Sequence, residues 1–424
     1  MSKTLIYKFG GASVKDAAAL VNLADILRNR LRNNLVIVVS AMGKSTNALE
    51  EILRMKLENK DYSINSTNLK DFHLSICRDL FPESHMIFPQ IKNYFIQLNH
   101  ELNKALSAVN YDEFYDRIIS FGELVSSRIV MEYLCLQNLL VLWQDARELV
   151  VTNSDFRFAK VNWEETKRNC QLQLKPKLAQ FPVLTQGFIG RDRQGKTTTL
   201  GREGSDFTAA ILAACLQAVS VTIWKDVPGV LNADPKRFPS AQLFDELGYA
   251  QAAEMTYYGA SVIHPKTIKP LANSRIPLFV RSFVDPDLPG TKIHQNAPIQ
   301  NLAAIILKRD QLLLSFKVTD FTFIEERHIS LIYEKLRQLK LSVNMLQTSA
   351  ISISIVLDTQ LFKLQQLISE LKGEFEIKYN EGMELVTVLH PQKELLVDLL
   401  GEDEIFLEQT TRNTFQAVRK AKIS

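Results

Sequence analysis

Two short apolar runs with a helical repeat between them constrain this chain most. Leu5-Ile6-Tyr7-Lys8-Phe9 leads into Gly10-Gly11-Ala12-Ser13-Val14, and Leu35-Val36-Ile37-Val38-Val39 ends at Ser40. Between them Leu20, Leu23, Ala24, Leu27 and Leu31 recur at helical spacing, which predicts an amphipathic helix over 15–32. The β-branched second run suits a strand buried on both faces. Strand, glycine turn, helix and strand make a βαβ unit, so a parallel sheet with a right-handed crossover is expected. Ligands of such sheets bind beyond the carboxyl ends of the strands. Lys8, Gly10, Gly11, Ser40 and the turn from Met42 to Asn47 all fall at that edge. Glycines there let backbone N–H groups approach a phosphate, and a lysine adds a mobile positive charge.

Residues 48–135 read as mostly helical, with a polar interruption at 61–68 and helices over 99–106 and 112–135. Leu139–Trp143 reads as another buried strand. Pro182–Gln186 reads as a strand ending at Gly187, with a hairpin around Gly195 beyond it. A second glycine turn, Gly201-Arg202-Glu203-Gly204-Ser205-Asp206, opens an apolar helix from Phe207 to Leu216. Two helix N-termini are therefore expected to face one set of phosphates. Ser220–Trp224 reads as a strand running into the turn Lys225-Asp226-Val227-Pro228-Gly229-Val230. Asp285–Gly290 reads as a linker. Residues 302–424 then alternate β-rich runs with helices and carry no glycine cluster, as α+β modules without chemistry of their own do.

Composition narrows the function classes. The 424 residues carry 50 Lys and Arg against 47 Asp and Glu, a net charge of +3, too small to argue for nucleic acid or a membrane surface. Cys77, Cys135, Cys170 and Cys215 form no CxxC pair, which argues against a zinc site and fits a reducing cytoplasm. The first residues read as a strand rather than a leader, and no apolar run approaches the roughly 20 residues that span a bilayer.

Phosphoryl transfer is mostly positioning and charge neutralisation, and the chain offers the parts. Lys8, Gly10 and Gly11 stand at one glycine turn and Gly201 to Ser205 at the other. Arg202 could fork onto a carboxylate. Asp206 suits either a helix cap or a role in the site. Glu123 lies on a helix, where a glutamate is ordinarily at the surface. Asp226 could be a turn residue or touch a nucleotide, and His264 reads as structural. A carboxylate acceptor needs no general base, being ionised at neutral pH.

Taken together, the motifs resemble the aspartate kinases of the amino-acid kinase family. Lys8-Phe9-Gly10-Gly11-Ala12-Ser13-Val14 is similar to the family's KFGGTSV opening, and Thr197 to Asp206 to its TTLGRGGSD segment. Trp224 to Val230, Asp234-Pro235, Ala252 to Met255 and Gly259 to Pro265 match further family motifs, in order. The resemblance implies a three-layer α/β catalytic domain with a mainly parallel sheet over 1–297, including a helical substrate lobe at about 48–135. Tandem α+β ACT-like domains over 298–424 would follow and pair subunits into a homodimer. It implies ATP-dependent phosphorylation of the β-carboxylate of L-aspartate, the first step toward lysine, threonine and methionine.

Carried over by position, Lys8 and Asp206 are the catalytic pair. Thr46, Glu123, Arg202 and Ser205 would hold aspartate, Arg202 its α-carboxylate and Glu123 its ammonium. Lys8, Gly10, Gly11, Ser40, Lys225, Asp226, Val230, Asp234 and Arg237 would line the nucleotide site. Mg2+ would bridge ATP phosphates without a protein cage. Ala12, Glu203 and Ser261 depart from the family at threonine, glycine and lysine positions. Glu203 should repel anions unless it points outward or pairs with Lys44 or Arg237. The turn from Phe321 to Ile329 lacks the glycine of lysine-sensitive members, and Asn344 stands for an aspartate in the strand that follows, Leu341–Thr348, so weak or absent lysine inhibition is expected. The competing readings are another amino-acid kinase, or a sensor with impaired catalysis.

Overall fold

A computed structural model describes residues 4–105, 110–201, 203–260, 263–298, 300, 302–319 and 322–421. Arg202, Ser261 and Phe321 lie outside the described residues. The chain forms two compact units: residues 1–230, 243–253 and 262–299 in the first, and 231–242, 254–261 and 300–424 in the second. Among the described residues no helix is long and apolar enough to cross a membrane.

The first unit is built on an eight-stranded sheet. In chain order its strands are β1 (Leu5–Phe9), β2 (Leu35–Val39), β3 (Leu142–Gln144), β5 (Val183–Gln186), β8 (Ser220–Lys225), β9 (Glu246–Gly248), β10 (Leu278–Ser282) and β11 (Thr291–His294). Their spatial order is β3-β5-β2-β1-β8-β10-β11-β9, and every pair but β10–β11 is parallel. A small second sheet joins β4 (Val151–Thr152), β6 (Ile189–Asp192) and β7 (Thr197–Thr199). β6 and β7 are the expected hairpin, turned at Gly195 with φ +84°.

β2 and β5 are buried along their whole length, while β1 and β8 keep a partly exposed residue at Leu5, Tyr7, Ser220 and Lys225. Register then decides chemistry. Phe9 pairs with Trp224 across β1 and β8, and the two rings stack with centres 6.0 Å apart. Lys8 stands opposite Ile223, so Lys225 follows two positions further along and both lysines reach the carboxyl edge.

Several boundaries differ from the sequence reading. After Gly10 the chain makes a 3-10 turn over Gly11–Val14, and helix α1 (Ala17–Arg28) starts only at its own cap, Asp16, whose carboxylate accepts from Ala19 N at 2.8 Å. The first glycine turn is thus not the N-terminus of α1. Helices α2 (Ser45–Leu57), α3 (Ser63–Leu80), α4 (Ile87–Leu102) and α5 (Tyr111–Leu136) form the helical lobe. Polar residues 63–68 are the solvated first turns of α3 rather than an interruption. Asn99 ends α4 instead of opening a helix. β3 is an edge strand with Leu140 and Leu142 exposed, so an apolar run does not mark it as buried.

In the second unit, β12 (Ala304–Val318), β13 (Val343–Thr348), β14 (Ser352–Asp358), β15 (Phe375–Leu389), β16 (Ile405–Thr410) and β17 (Thr414–Lys420) form an antiparallel sheet in the order β13-β14-β12-β15-β17-β16. Two α+β modules share its long strands. The second half of β12 pairs with β14 and the start of β15, while its first half pairs with the end of β15, which continues to β17. The runs at 303–307 and 312–318 are one strand, with register shifts between Lys308 and Leu313. The buried carboxylate of Glu384 holds this unit's charges together. It contacts Arg419 at 2.9 Å, accepts from Arg237, and lies 3.7 Å from Arg309.

Gly187, which follows β5, packs directly on helix Gly204–Leu216: a Cβ there would stand 2.4 Å from that of Ser205 and 2.6 Å from its Cα. Gly187→Ala must push the start of that helix away. Overpacking of this kind costs about 2 kcal/mol. Thermal unfolding should show the loss and turnover should fall with it; an unchanged melting temperature would contradict the packing.

Candidate active site

The first turn of helix Gly204–Leu216 presents Asp206 to the sheet edge. Asp206 Oδ1 lies 2.6 Å from Lys8 Nζ and Oδ2 lies 3.6 Å from Lys225 Nζ, with the carboxylate 2% exposed. Burial pushes this carboxyl up, but the two ammonium groups outweigh it and hold the carboxyl below its ordinary value. Asp206 is thus not the cap. That position belongs to Glu203, in left-handed conformation at φ 54°. A family glycine would adopt this geometry without strain.

Beside this cluster is a cavity of about 640 Å3. Of the residues singled out from sequence, Gly11, Ser40, Thr46, Glu123 and Ser205 line it, as does Glu203. Gly11 sits where backbones nearly touch: a Cβ would meet the carbonyls of Ala41 and Gly43, each at 3.1 Å. A Cβ on Gly10 would stand 3.3 Å from Lys8 Nζ, so that glycine keeps the ammonium's surroundings open. Ser40 is fixed through its carbonyl, which accepts from Ser126 Oγ at 2.7 Å.

Glu123 departs from the surface position expected of a helical glutamate. It is 3% exposed, on a stretch of α5 buried all round. Its Oε1 accepts from Ala41 N at 3.4 Å, and Oε2 has no hydrogen-bond partner among the described residues. Burial pushes its carboxyl up to about 8, with the backbone N–H bonds opposing. A carboxylate this deep and half-satisfied needs a cation or proton.

Other predicted residues lie elsewhere. Lys225 ends β8 within the charged cluster. Asp226 is exposed on the following turn, and Val230 is buried, its N–H donating to Thr291 Oγ1 at 2.8 Å. Asp234 and Arg237 belong to the second unit, where Arg237 donates to Glu384 and Asp234 accepts from Lys236 N.

Sequence reasoning missed the wall of the cavity. Asp116 on α5 is fully buried and accepts from Thr199 Oγ1 at 2.6 Å, Thr199 N at 2.8 Å and Arg157 N at 2.9 Å. Burial raises its carboxyl to about 6, opposed by those bonds. This holds Arg157 at φ 69°, with its guanidinium 4.4 Å over the Tyr115 ring and 3.3 Å from Asp112. Tyr115 in turn donates to Glu50. Behind Thr46, the buried His73 contacts Ser45 Oγ at 3.2 Å, at the start of the helix that carries Thr46.

Residues 3–282 match the amino acid kinase family. The lysine-sensitive aspartokinase 3 of Escherichia coli is 33% identical over 400 residues, 92% of this chain and 87% of that protein. The chain belongs to the aspartokinases of this family. The chloroplastic aspartokinase 2 of Arabidopsis thaliana is 30% identical over 94% of this chain and 74% of its own length. The crystal structure of E. coli aspartokinase III in complex with aspartate and ADP superposes with a TM-score of 0.85, at 29% identity, over 99% of this chain and 96% of that one. Aspartokinase membership agrees with the mainly parallel catalytic sheet and the paired α+β modules described above.

Glu123 also predicts a pH signature. Its folded-state value lies above its unfolded value, so its contribution to stability is complete below about 4.5 and is lost as pH rises through about 8. Between pH 5 and 8 the unliganded protein should therefore lose stability relative to Glu123→Gln. Parallel unfolding curves across that window would contradict this placement of the carboxyl.

Proposed function

We propose that the cavity binds L-aspartate and that the Lys8–Asp206–Lys225 cluster receives the phosphates of ATP. As a member of the aspartokinases, the chain is an enzyme that phosphorylates aspartate on its β-carboxylate to give 4-phospho-L-aspartate. The observation that carries the assignment of the cavity is Glu123: a buried carboxylate oxygen without a partner among the described residues, in the lining of a hollow roomy enough for an amino acid, suits a ligand ammonium. Thr46 and Ser205 offer hydroxyls around the same hollow. Arg202, which precedes Glu203 in the sequence, takes the α-carboxylate in this reading.

The reaction asks little covalent chemistry of the protein. An oxygen of the β-carboxylate forms the new bond to the γ-phosphorus as the bond to the departing ADP oxygen breaks, and no proton need be removed. What the chain supplies is position and charge. Lys8 faces the negative charge that spreads over the transferring group, and Asp206 holds Lys8 in place while Lys225 balances the carboxylate. The N–H groups of Gly10 and Gly11 and Ser40 lie at the same edge. Asp226, Val230 and Asp234 are assigned to the nucleoside side of the site. Arg237 joins them only in so far as Glu384 releases it. Mg2+ would be held mainly by the nucleotide phosphates and water, and would neutralise phosphate charge there.

Free edges at β13 and β16 suit pairing of two copies into a homodimer. Four free cysteines suit a cytoplasmic setting. A weak response to lysine is supported by Asn344. Its carbonyl accepts from Lys308 at 2.9 Å, and its amide donates to Gln311 at 2.7 Å and Asp358 at 3.0 Å. The carboxylate beside it, Asp358, already pairs with Lys308 at 2.8 Å.

Trapping the acyl phosphate with hydroxylamine tests the reaction. Hydroxamate should form with ATP and L-aspartate and not with N-acetylglutamate; normal folding without product would favour the sensor reading. Lys8→Ala should lower kcat by roughly 10^2–10^3-fold, the usual loss when a charge at the transition state is removed. Unchanged turnover would refute the role of Lys8. Added L-lysine should leave the initial rate essentially unchanged, and strong inhibition at micromolar lysine would overturn that expectation.

A further inference from the structure

The first unit holds a second hollow that this chemistry does not use. A groove of about 940 Å3 runs between residues 158–163, helix Gly204–Leu216 and helix Pro265–Ser274. Its walls are aromatic and its charges have one sign. Trp163 is 43% and Phe158 51% exposed, and Trp163 meets Phe207 edge-on with ring centres 6.4 Å apart. Clustered exposed rings in a concavity mark binding surfaces. Among the described residues every charged one lining the groove is a lysine: Lys160, Lys266 and Lys269. Lys160 has only a loose, solvated contact with Asp155 at 3.7 Å. Lys266 is partly buried, which lowers its amine from the ordinary value. Flat apolar walls with cations and no lining carboxylate complement a molecule with an aromatic body and an anionic group.

The groove shares a wall with the active-site cavity. Phe158 lines both hollows. Gly201, at φ +82°, begins the turn that leads to Ser205. A Cβ there would meet Phe158 Cδ1 and Arg157 O, each at 3.2 Å, and Lys266 Nζ at 3.5 Å. Lys266 Nζ also donates to the Leu200 carbonyl at 3.4 Å. Two of the groove's own residues therefore pack on the glycine that starts the substrate loop.

We propose that this groove binds a small planar aromatic anion, a carboxylate, sulfonate or phosphate, and that its occupancy tightens amino-acid binding through Phe158 and Lys266. A ligand seated there favours the arrangement in which both residues hold Gly201, and the effect is reciprocal. The linkage rests on the aspartate reading of the cavity; the binding does not.

The test uses 8-anilinonaphthalene-1-sulfonate with the intact protein, followed by probe fluorescence and by quenching of Trp163. Saturable binding is expected, with N-phenyl-1-naphthylamine, the uncharged analogue, binding far more weakly. Lys269→Glu and Trp163→Ala should each weaken the sulfonate about tenfold, the change that 1.4 kcal/mol brings. Both variants should keep the wild-type circular dichroism and basal turnover. Saturating L-aspartate should lower the probe's Kd. Equal binding of the uncharged analogue, or unchanged binding by Lys269→Glu, would reduce the groove to an apolar patch and overturn the proposal. Sedimentation showing that Trp163→Ala dissociates a dimer would overturn it in favour of an interface between copies. Probe binding that L-aspartate leaves unmoved, in protein that calorimetry shows to bind aspartate, would overturn the linkage. Failure of aspartate to bind at all would instead count against the reading of the cavity.

Discussion

The site depends on one buried carboxylate between two lysines. Asp206 is almost inaccessible, and burying a lone charge is costly enough that it normally neutralises instead. Lys8 and Lys225 make its ionised form the stable one. That arrangement requires β1 and β8 to be neighbours in parallel register, so that residues 8 and 225 reach the same edge. It also requires the helix bearing Asp206 to start directly above them. Gly187 permits the close approach of that helix, since no side chain would fit against Ser205. Gly10 and Gly11 matter at this edge because the cluster supplies fixed charge beside them.

The second half of the site is polar in a complementary sense. Glu123 brings one negative charge, or one proton, into a cavity that Glu50, Arg157 and Glu203 also border, and it alone of these four is buried with a carboxylate oxygen that has no hydrogen-bond partner among the described residues. Cations gather at the sheet edge and the unpaired carboxylate stands on the helical lobe. On the proposed reading, a zwitterion with an extra carboxylate would take one orientation: ammonium toward α5, free carboxylate toward Lys8. Asp116 acts at a distance from both. By gripping Thr199 and Arg157 it shapes the wall on which the substrate would rest, and it touches no reacting atom.

Local chemistry was legible and long-range burial was not. Lys8 with its glycines, and Ser205 with Asp206, declare themselves because a strand end, a glycine turn and a helix start are short-range patterns. Resemblance to a family singled out Glu123, but its own neighbourhood reads as surface; only the packing of α2 against α5 explains its burial. Asp116 and Arg157 are 41 residues apart and carry no shared signal, and the left-handed Arg157 follows from tertiary contacts. The misjudged start of α1 has a simple cause. Asp16 is a stronger cap than any residue of the glycine turn, so the helix waits for it. Leu139–Trp143 was misread because an apolar run cannot distinguish an edge strand from a central one.

The most direct measurement is calorimetry of L-aspartate binding at pH 7 in buffers of different ionisation enthalpy. With Glu123 pushed up to about 8, the empty site is mostly protonated, and an incoming ammonium must displace that proton. Close to one proton released per aspartate bound, absent in Glu123→Gln, is the predicted result. Tight aspartate binding without proton release, or release that survives Glu123→Gln, would contradict the assignment of Glu123 and with it the orientation of the substrate.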